Sequence, residues 1–393
     1  MMQERYTPPK IKQNLYLKSM QVILENRISS SVVSKHRDAY IDVAKGLLMI
    51  LVVLGHTPDF GFSSYAYWFH MPAFFYISGI LHRQPEKALL RSFLKKKSIN
   101  LLLPYFAYAF LIGITSYTLS DRSTWAISEI LGFFAFTGYK VLVWGGERLN
   151  GGFSIYWYIN CFLWTVILFS LLNSFVNRKT TLFLTAIFSL IAGVGIEFYQ
   201  TVPIPWNLNV VPLTLAFYII GHCSKDLLEW LKTLGLSLLE IFFLFITSLA
   251  LCTVAIYCNY IGLFSLKVDL KYGVISNPWM VLPIFALFTS TILLLSLLIA
   301  RSRASAALLI IGQNTLPIMY LHITANLIYK ALLKDTFNSA YLYLFIGIAI
   351  PILLSLLFKR SLLLSMLLLG MNSSNILTYT HSKIKGGILK STK

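Results

Sequence analysis

The sequence predicts an all-α polytopic membrane protein of about ten transmembrane helices, with both termini cytoplasmic. Hydrophobic residues make up 57% of the 393 residues and charged residues only 12%, whereas soluble domains contain about 25% charged residues. Mean hydropathy is +0.70. Apolar runs of membrane-spanning length recur along the chain, and Lys and Arg fall in short clusters between them, which is how topology is encoded in membrane proteins.

Ten apolar runs reach or approach the roughly 20 residues that a spanning helix needs. They lie near 39–57, 65–82, 100–120, 153–176, 181–198, 208–223, 235–257, 278–300, 306–332 and 341–358. A further run, 125–145, is apolar and aromatic but is interrupted by Lys140 and by glycines. We expect it to be an interfacial or re-entrant segment within a long loop.

The distribution of basic residues supports this topology. With ten spans and a cytoplasmic N-terminus, 25 of the 33 Lys and Arg residues lie inside and 7 lie outside, while Lys45 lies within a helix. If 125–145 also crossed, the later loops would exchange sides and place 12 basic residues outside against 5 inside. The positive-inside rule disfavours that arrangement. The net charge of +18 is therefore a topology signal rather than a sign of nucleic-acid binding.

The chain is expected to contain one folded unit with two basic extensions. Residues 1–38 form a basic cytoplasmic N-terminal extension, 39–370 the transmembrane domain and 371–393 a basic cytoplasmic tail. No cleavage pattern follows the first apolar run, so the first helix is expected to be an uncleaved anchor. The four cysteines lie in apolar segments without metal-ligand spacing, so we expect no metal site and no disulfide framework.

The first predicted helix carries three ionisable residues: Asp42, Lys45 and His56. At 100° per residue, Lys45 and His56 share one helical face and lie about 16 Å apart along the axis. Ionisable groups in a bilayer face a protein interior or a water-filled cavity. A lysine that snorkels and pairs with Asp42 would explain two of the three residues. It would not explain His56, whose imidazole is a natural general base for a hydroxyl acceptor.

A second motif, WFHMPAFFYISG at 68–79, places His70 and Pro72 at the start of a helix with an aromatic cluster. An interfacial aromatic belt is the ordinary explanation for such a cluster. The histidine is not a topology signal, so we expect it to have a partner within the bundle.

A third motif, GQNTLPIMYLH at 312–322, puts four polar side chains into one apolar span, including Asn314 and His322. Polar groups in lipid need internal partners, and hydrogen bonding between helices would supply them. The start of the fourth span, with Trp157 between two tyrosines, is explained equally well by an aromatic belt.

Together, the segments RDAYIDVAKG…LGH, WFHMPAFFYISGILH and GQNTLPIMYLH resemble the integral-membrane acyltransferase-3 family, in its branch similar to fucose O-acetyltransferases. The spacing of Lys45 and His56 fits the family's pattern of a basic residue, a ten-residue gap and a histidine. Many members carry arginine where this chain has lysine, which keeps the charge but loses bidentate recognition. Trp157 and Tyr158 match a W-(F/Y)-L pattern in which Ile159 replaces leucine. Outside the first helix pair and the ninth span, the resemblance is one of hydropathy and helix count.

The resemblance implies transfer of an acyl group, usually acetyl from acetyl-CoA, to a hydroxyl of a carbohydrate. His56 and Lys45 would then be the catalytic residues, with His70, Asn314 and His322 donating to the developing oxyanion or orienting the sugar. The implied substrate- or donor-binding residues are Arg37, Asp42, His70, Trp157, Asn314 and His322. The implied acceptor is an O-antigen, capsule or exopolysaccharide, or a lipid-linked precursor, at the bacterial plasma (inner) membrane.

The bundle and its loops, chiefly 121–152 and 259–277, are expected to recognise the acceptor. The sequence leaves open the acceptor sugar, the choice between acetyl and succinyl, and the oligomeric state. A secondary transporter or flippase with an intramembrane proton relay remains an alternative, although such proteins usually show internal repeats with broken helices and none is visible. A receptor or scaffold would give no reason for three polar motifs in different spans.

Overall fold

The computed structural model describes residues 39–57, 61, 63–120, 126–146, 148–176, 178–199, 204–333 and 339–370. The two expected extensions, 1–38 with Arg37 and 371–393, lie outside the described residues. The helices are α1 Ala39–Gly55, α2 Ser63–Tyr67, α3 His70–Ile80, α4 Leu90–Thr118, α5 Ile127–Tyr139, α6 Tyr156–Phe175, α7 Lys179–Tyr199, α8 Val211–Cys223, α9 Lys225–Thr233, α10 Leu238–Tyr260, α11 Pro278–Ala300, α12 Ser305–Gln313, α13 Thr315–Leu333, α14 Ala340–Phe358 and α15 Leu362–Leu369. Short 3₁₀ turns precede α4, α6 and α8, and a π turn, Lys140–Trp144, continues α5.

Helix α1 lies at the centre of the bundle and packs chiefly against α12, with further contacts to α3, α11, α13 and α14. Two glycines bring α1 and α12 together. A Cβ atom at Gly312 would meet the carbonyl oxygen of Asp42, and one at Gly46 would meet that of Leu308. Small residues allow helix backbones to approach closely in membranes. The third sequence motif is therefore pressed against the turn of α1 that carries Asp42 and Lys45.

The predicted span 65–82 is broken into α2 and α3. Its break lies at Trp68 and Phe69, immediately before α3 begins at His70. Pro72 lies in the first turn of α3, where its missing N–H group has no intrahelical partner to lose. Helix α3 then packs closely on α8, because Cβ atoms at Gly79 and Gly221 would each meet backbone of the facing helix.

By length and composition, seven of the described helices could cross a membrane, or eight if α12 and α13, bent by 85°, count as one span. The predicted count of ten and the cytoplasmic termini are therefore not confirmed. Helices α1, α3 and α8 are missing from the seven because they contain 17, 11 and 13 residues. At 1.5 Å per residue they are shorter than the roughly 30 Å hydrocarbon core. The described chain is an all-α, multi-pass membrane protein.

One β-hairpin interrupts the helical bundle between α10 and α11. Strands β1 Val268–Asp269 and β2 Val274–Ile275 pair antiparallel, with Val268 opposite Ile275. Leu266, Val268, Leu270 and Ile275 are buried in the hydrophobic core. The Trp68 indole Nε1 donates to the carbonyl oxygen of Leu266 at 2.8 Å. The hairpin therefore lies at the end of the bundle where α1 finishes and α3 begins, which we call the hairpin end.

The segment Ile127–Trp144 is among the seven that are long and apolar enough to cross. It packs back along α4, because the Tyr105 hydroxyl donates to the carbonyl oxygen of Val141 at 2.8 Å. The chain then returns to the hairpin, where the Lys271 ammonium donates to the carbonyl oxygen of Leu149 at 3.0 Å. Helix α3 leaves the hairpin end and α4 comes back to it, so both flanks of Ile127–Trp144 lie at one end. Of the two expected forms, this geometry favours a re-entrant segment.

Candidate active site

A cavity of about 440 Å³ lies between α1, α3, α6, α13 and the hairpin. Helix α1 contributes Lys45, Met49, Val52 and His56 to its lining. These residues recur at steps of three or four, so they form one helical face. The structure thus brings Lys45 and His56 to the same cavity, as the helical spacing predicts. The volume is within the range of small-molecule sites.

At one end of the cavity, Lys45 is paired with Asp42. The Lys45 ammonium donates to the Asp42 carboxylate at 2.9 Å, and the two side chains are 16% and 5% exposed. Asp42 does not line the cavity, so the structure places it behind Lys45 rather than against a ligand. Asp42 neutralises the charge of Lys45, and the ammonium retains two further protons for a bound molecule.

At the hairpin end, three histidines and a tyrosine lie together. The centroid of the His56 ring is 5.2 Å from that of His322 and 6.5 Å from that of Tyr67. The Tyr67 ring is 5.0 Å from His70, and its hydroxyl donates to the carbonyl oxygen of Gly55 at 3.2 Å. His56, Tyr67 and His70 line the cavity, whereas His322 lies behind His56.

Hydrogen bonds to the backbone fix the tautomers of His70 and His322. Nδ1–H of His70 donates to the carbonyl oxygen of Ala66. Nδ1–H of His322 donates to those of Ile318 and Met319, both at 2.9 Å. In a neutral imidazole, the other nitrogen is then an acceptor. Neither ring can donate Nε2–H to an oxyanion while neutral. For His70, which lines the cavity, the geometry therefore favours orienting the sugar, whereas His322 does not line the cavity.

Asn314 lies at the bend between α12 and α13, and both the oxygen and the nitrogen of its side-chain amide make hydrogen bonds. Its Oδ1 accepts hydrogen bonds from Ser355 at 2.7 Å and from the Lys359 ammonium at 3.0 Å. Its Nδ2 donates to the carbonyl oxygen of Ile310 at 2.7 Å. Asn314 is absent from the cavity lining, although its neighbour Thr315 is present. Asn314 therefore stabilises the 85° bend between the two helices.

The aromatic start of α6 contributes directly to the cavity. Trp157 and Tyr158 both line it, together with Ser154 from the preceding turn. Tyr158 stacks on Phe162 with ring centroids 5.9 Å apart. This position agrees with Trp157 as a candidate binding residue. Among the residues that the structure describes, no group of His, Cys, Asp and Glu is arranged to hold a metal ion.

The hairpin adds residues that sequence reasoning did not name individually. Asp269, Lys271 and Tyr272 line the cavity with the histidines. Burial raises the pKa of the Asp269 carboxyl above its usual value, although backbone N–H groups and nearby lysines oppose that shift. The expected contribution of loop 259–277 was the only signal for these residues. A local pattern cannot say which loop side chains reach a cavity built by distant helices.

Fold and site define a polytopic helical membrane protein with a lysine at one end of an internal cavity and a histidine cluster at the other. A family model described as an acyltransferase domain, that of acyltransferase family 3, matches residues 38–360. The chain therefore belongs to the acyltransferase-3 family, which confirms the resemblance seen in its motifs.

Two relatives share part of this domain. Nodulation protein NolL of Sinorhizobium fredii is 30% identical over 224 residues, which are 52% of this chain and 53% of the relative. Nodulation protein NolL of Mesorhizobium japonicum is 27% identical over 216 residues, which are 50% of each chain. The chain spans about half the length of the curated relatives it matches. No solved structure matches it.

Proposed function

We propose that this protein is a membrane O-acyltransferase that moves an acyl group, most simply acetyl, from cytoplasmic acetyl-CoA to a hydroxyl of a carbohydrate. The acceptor would be a cell-surface polysaccharide or its lipid-linked precursor, at the bacterial plasma membrane. One observation carries the proposal: a single cavity joins Lys45 to His56 across three turns of α1.

In this mechanism His56 acts as the general base. Its imidazole accepts the proton of the sugar hydroxyl while the hydroxyl oxygen attacks the thioester carbonyl carbon. The C–S bond then breaks, and the proton on His56 passes to the departing thiolate. The His322 ring lies in the protein interior with its centroid 5.2 Å from that of His56, and it would hold the His56 ring in place. His70 would accept a hydrogen bond from the sugar through Nε2.

Lys45 has a separate task at the other end of the cavity. Its ammonium, held by Asp42, would contact the polar arm of the donor and align it along α1. The predominantly apolar wall between Lys45 and His56 would keep water from the thioester. This arrangement agrees with a donor that arrives from the cytoplasmic side and an acceptor that arrives at the hairpin end.

Substituting His56→Ala tests the proposal. General-base catalysis contributes about 10²- to 10⁴-fold, so we expect transfer of radiolabelled acetyl groups onto membrane glycans to fall by that factor. Protein abundance and thermal stability should stay near those of the unmodified protein. His222→Ala in α8, outside the cavity lining, is the matched control and should retain transfer.

Unchanged acetylation in the His56→Ala variant would exclude His56 as the base. If label entered the vesicles with no covalent transfer to glycan in the unmodified protein, the transporter alternative would replace the enzyme.

A further inference from the structure

The tip of the hairpin presents two opposite charges to the cavity that are not paired with each other. Among the described residues, the ion pairs within 4.0 Å are Lys45–Asp42 and Lys179–Asp226, so Asp269 has no cation within that distance. Its carboxylate accepts hydrogen bonds from the backbone N–H groups of Lys271 and Tyr272. A carboxylate has about four acceptor positions, so at least two remain open to a ligand.

The Lys271 ammonium also has hydrogen-bonding capacity that contacts within the protein do not fill. Its ammonium donates to the carbonyl oxygen of Leu149 and lies 4.9 Å above the ring of Tyr272. An ammonium has three protons, so at least one is available to a molecule in the cavity. Asp269 and Lys271 thus offer one acceptor and one donor, two residues apart, beside the histidine cluster.

The hairpin is held rigidly enough to act as a binding element. The Asn207 amide donates to the carbonyl oxygen of Lys271 at 2.8 Å. Asn207 itself has a φ of 52°, a conformation that non-glycine residues adopt at a free-energy cost and that concentrates at functional sites. Asn207 and Leu149 thus hold the tip at Lys271, and Trp68 holds the chain that leads into the hairpin at Leu266. The charges of Asp269 and Lys271 are therefore presented by a preorganised loop.

We propose that Asp269 and Lys271 bind two neighbouring hydroxyl groups of an uncharged sugar and so place a third hydroxyl at His56. One hydroxyl donates to the Asp269 carboxylate and the adjacent one accepts from the Lys271 ammonium, because a hydroxyl both donates and accepts. The two opposite charges balance, which favours a neutral sugar over an anionic one. The exposed face of Tyr272 covers the apolar side of the sugar ring. This assignment rests on the proposed acyl transfer and specifies its acceptor subsite.

The test combines acceptor analogues with a charge-removing variant. The unmodified full-length protein in lipid nanodiscs is given acetyl-CoA and a panel of methyl glycosides of hexoses and 6-deoxyhexoses, with transfer followed by mass spectrometry. The best acceptor is then compared with its single-deoxy derivatives. A hydrogen bond to a charged group is worth about 10- to 100-fold in affinity. We expect Asp269→Asn to raise the acceptor KM by that factor while the KM for acetyl-CoA stays unchanged.

The decisive measurement is the acceptor KM of the Asp269→Asn variant with each single-deoxy sugar. Removing the sugar hydroxyl that Asp269 holds should raise the KM of the unmodified protein about 10- to 100-fold and have little further effect on Asp269→Asn. An unchanged acceptor KM in Asp269→Asn would overturn the assignment. So would KM increases from the variant and from the deoxy sugar that simply multiply for every sugar in the series. Asp226→Asn, an acid-to-amide change in an exposed ion pair, is the control. If Asp269→Asn does not fold, Lys271→Gln is used in the same cycle.

The outcomes separate this inference from the function on which it rests. If the unmodified protein transfers acetyl to no glycoside in the panel and to no native glycan, the proposed acyl transfer itself fails. If the unmodified protein transfers acetyl but the Asp269 and deoxy-sugar effects are independent, only the acceptor subsite fails.

Discussion

Lys45 and Asp42 form a charge-compensated pair within the bundle, and this pairing decides what either residue can do. Both side chains are largely buried. The loss of one partner leaves an uncompensated buried charge, which costs about 3–5 kcal/mol, whereas replacing both partners is often neutral. Effects on stability and effects on donor binding can therefore be separated, because only Lys45 lines the cavity.

We predict that Asp42→Asn and Lys45→Met each lower the free energy of unfolding by about 3–5 kcal/mol, measured by thermal unfolding in nanodiscs. The double variant should recover most of that stability. The KM for acetyl-CoA should nevertheless stay raised in Lys45→Met and in the double variant, while Lys45→Arg keeps the charge and the activity. A double variant that regains donor affinity would show that Lys45 has only a structural role.

The packing of α1 on α12 shows how elements position the site. Gly46 and Gly312 allow two backbones to touch, and this contact sets the depth of the Asp42–Lys45 turn. The bend after Gln313 then directs α13 so that His322 reaches His56. Asn314 stabilises the bend through Ser355 and Lys359. The third sequence motif therefore supports the site from behind more than it contacts the cavity.

Gly312→Ala should force α12 away from α1, because the new Cβ would meet the carbonyl oxygen of Asp42. Overpacking of this kind costs about 1–3 kcal/mol, and the displaced turn should also raise the KM for acetyl-CoA. Gly132→Ala in α5, where no atom lies within 4 Å of the added Cβ, is the matched control. Alanine is favoured over glycine in a helix by roughly 0.5–1 kcal/mol, so this control should be neutral or stabilising. Equal stability of the two variants would contradict the close contact.

The sequence predicts side-chain positions correctly where local helix geometry determines them. Lys45 and His56 share a face because helical spacing alone decides it. The break at Trp68 and Phe69 and the short α8 were not foreseen, since hydropathy averages over such details. Asp269 and Lys271 could not be identified at all, because their position depends on contacts with Leu149 and Asn207 that are distant in sequence.

At the scale of the whole molecule, the orientation of the cavity follows from how Ile127–Trp144 is inserted. If the chain returns to the hairpin end after that segment, as the hydrogen bond from Lys271 to Leu149 indicates, His56 and the hairpin lie on one side of the membrane. A full crossing would place them on opposite sides, which is incompatible with a shared cavity. From the positive-inside rule we then expect the hairpin outside and the Arg301–Arg303 turn inside.

We predict that Lys267→Cys is labelled by a membrane-impermeant maleimide in intact cells, whereas Arg303→Cys is labelled only after permeabilisation. Both positions are exposed, and Cys223→Ser with Cys258→Ser removes the less buried native thiols. The cysteine-substituted parent protein without either new thiol is the control. Labelling of Arg303→Cys alone in intact cells would reverse the proposed sides for donor and acceptor.

The position of the donor can be observed in a cryo-electron microscopy structure of the full chain in nanodiscs with an unreactive acetyl-CoA analogue whose thioester sulfur is replaced by oxygen. We expect the donor arm to pass Lys45 and the acyl carbonyl to lie beside His56 within the cavity. Donor density outside this cavity, or an acyl group remote from His56, would contradict it.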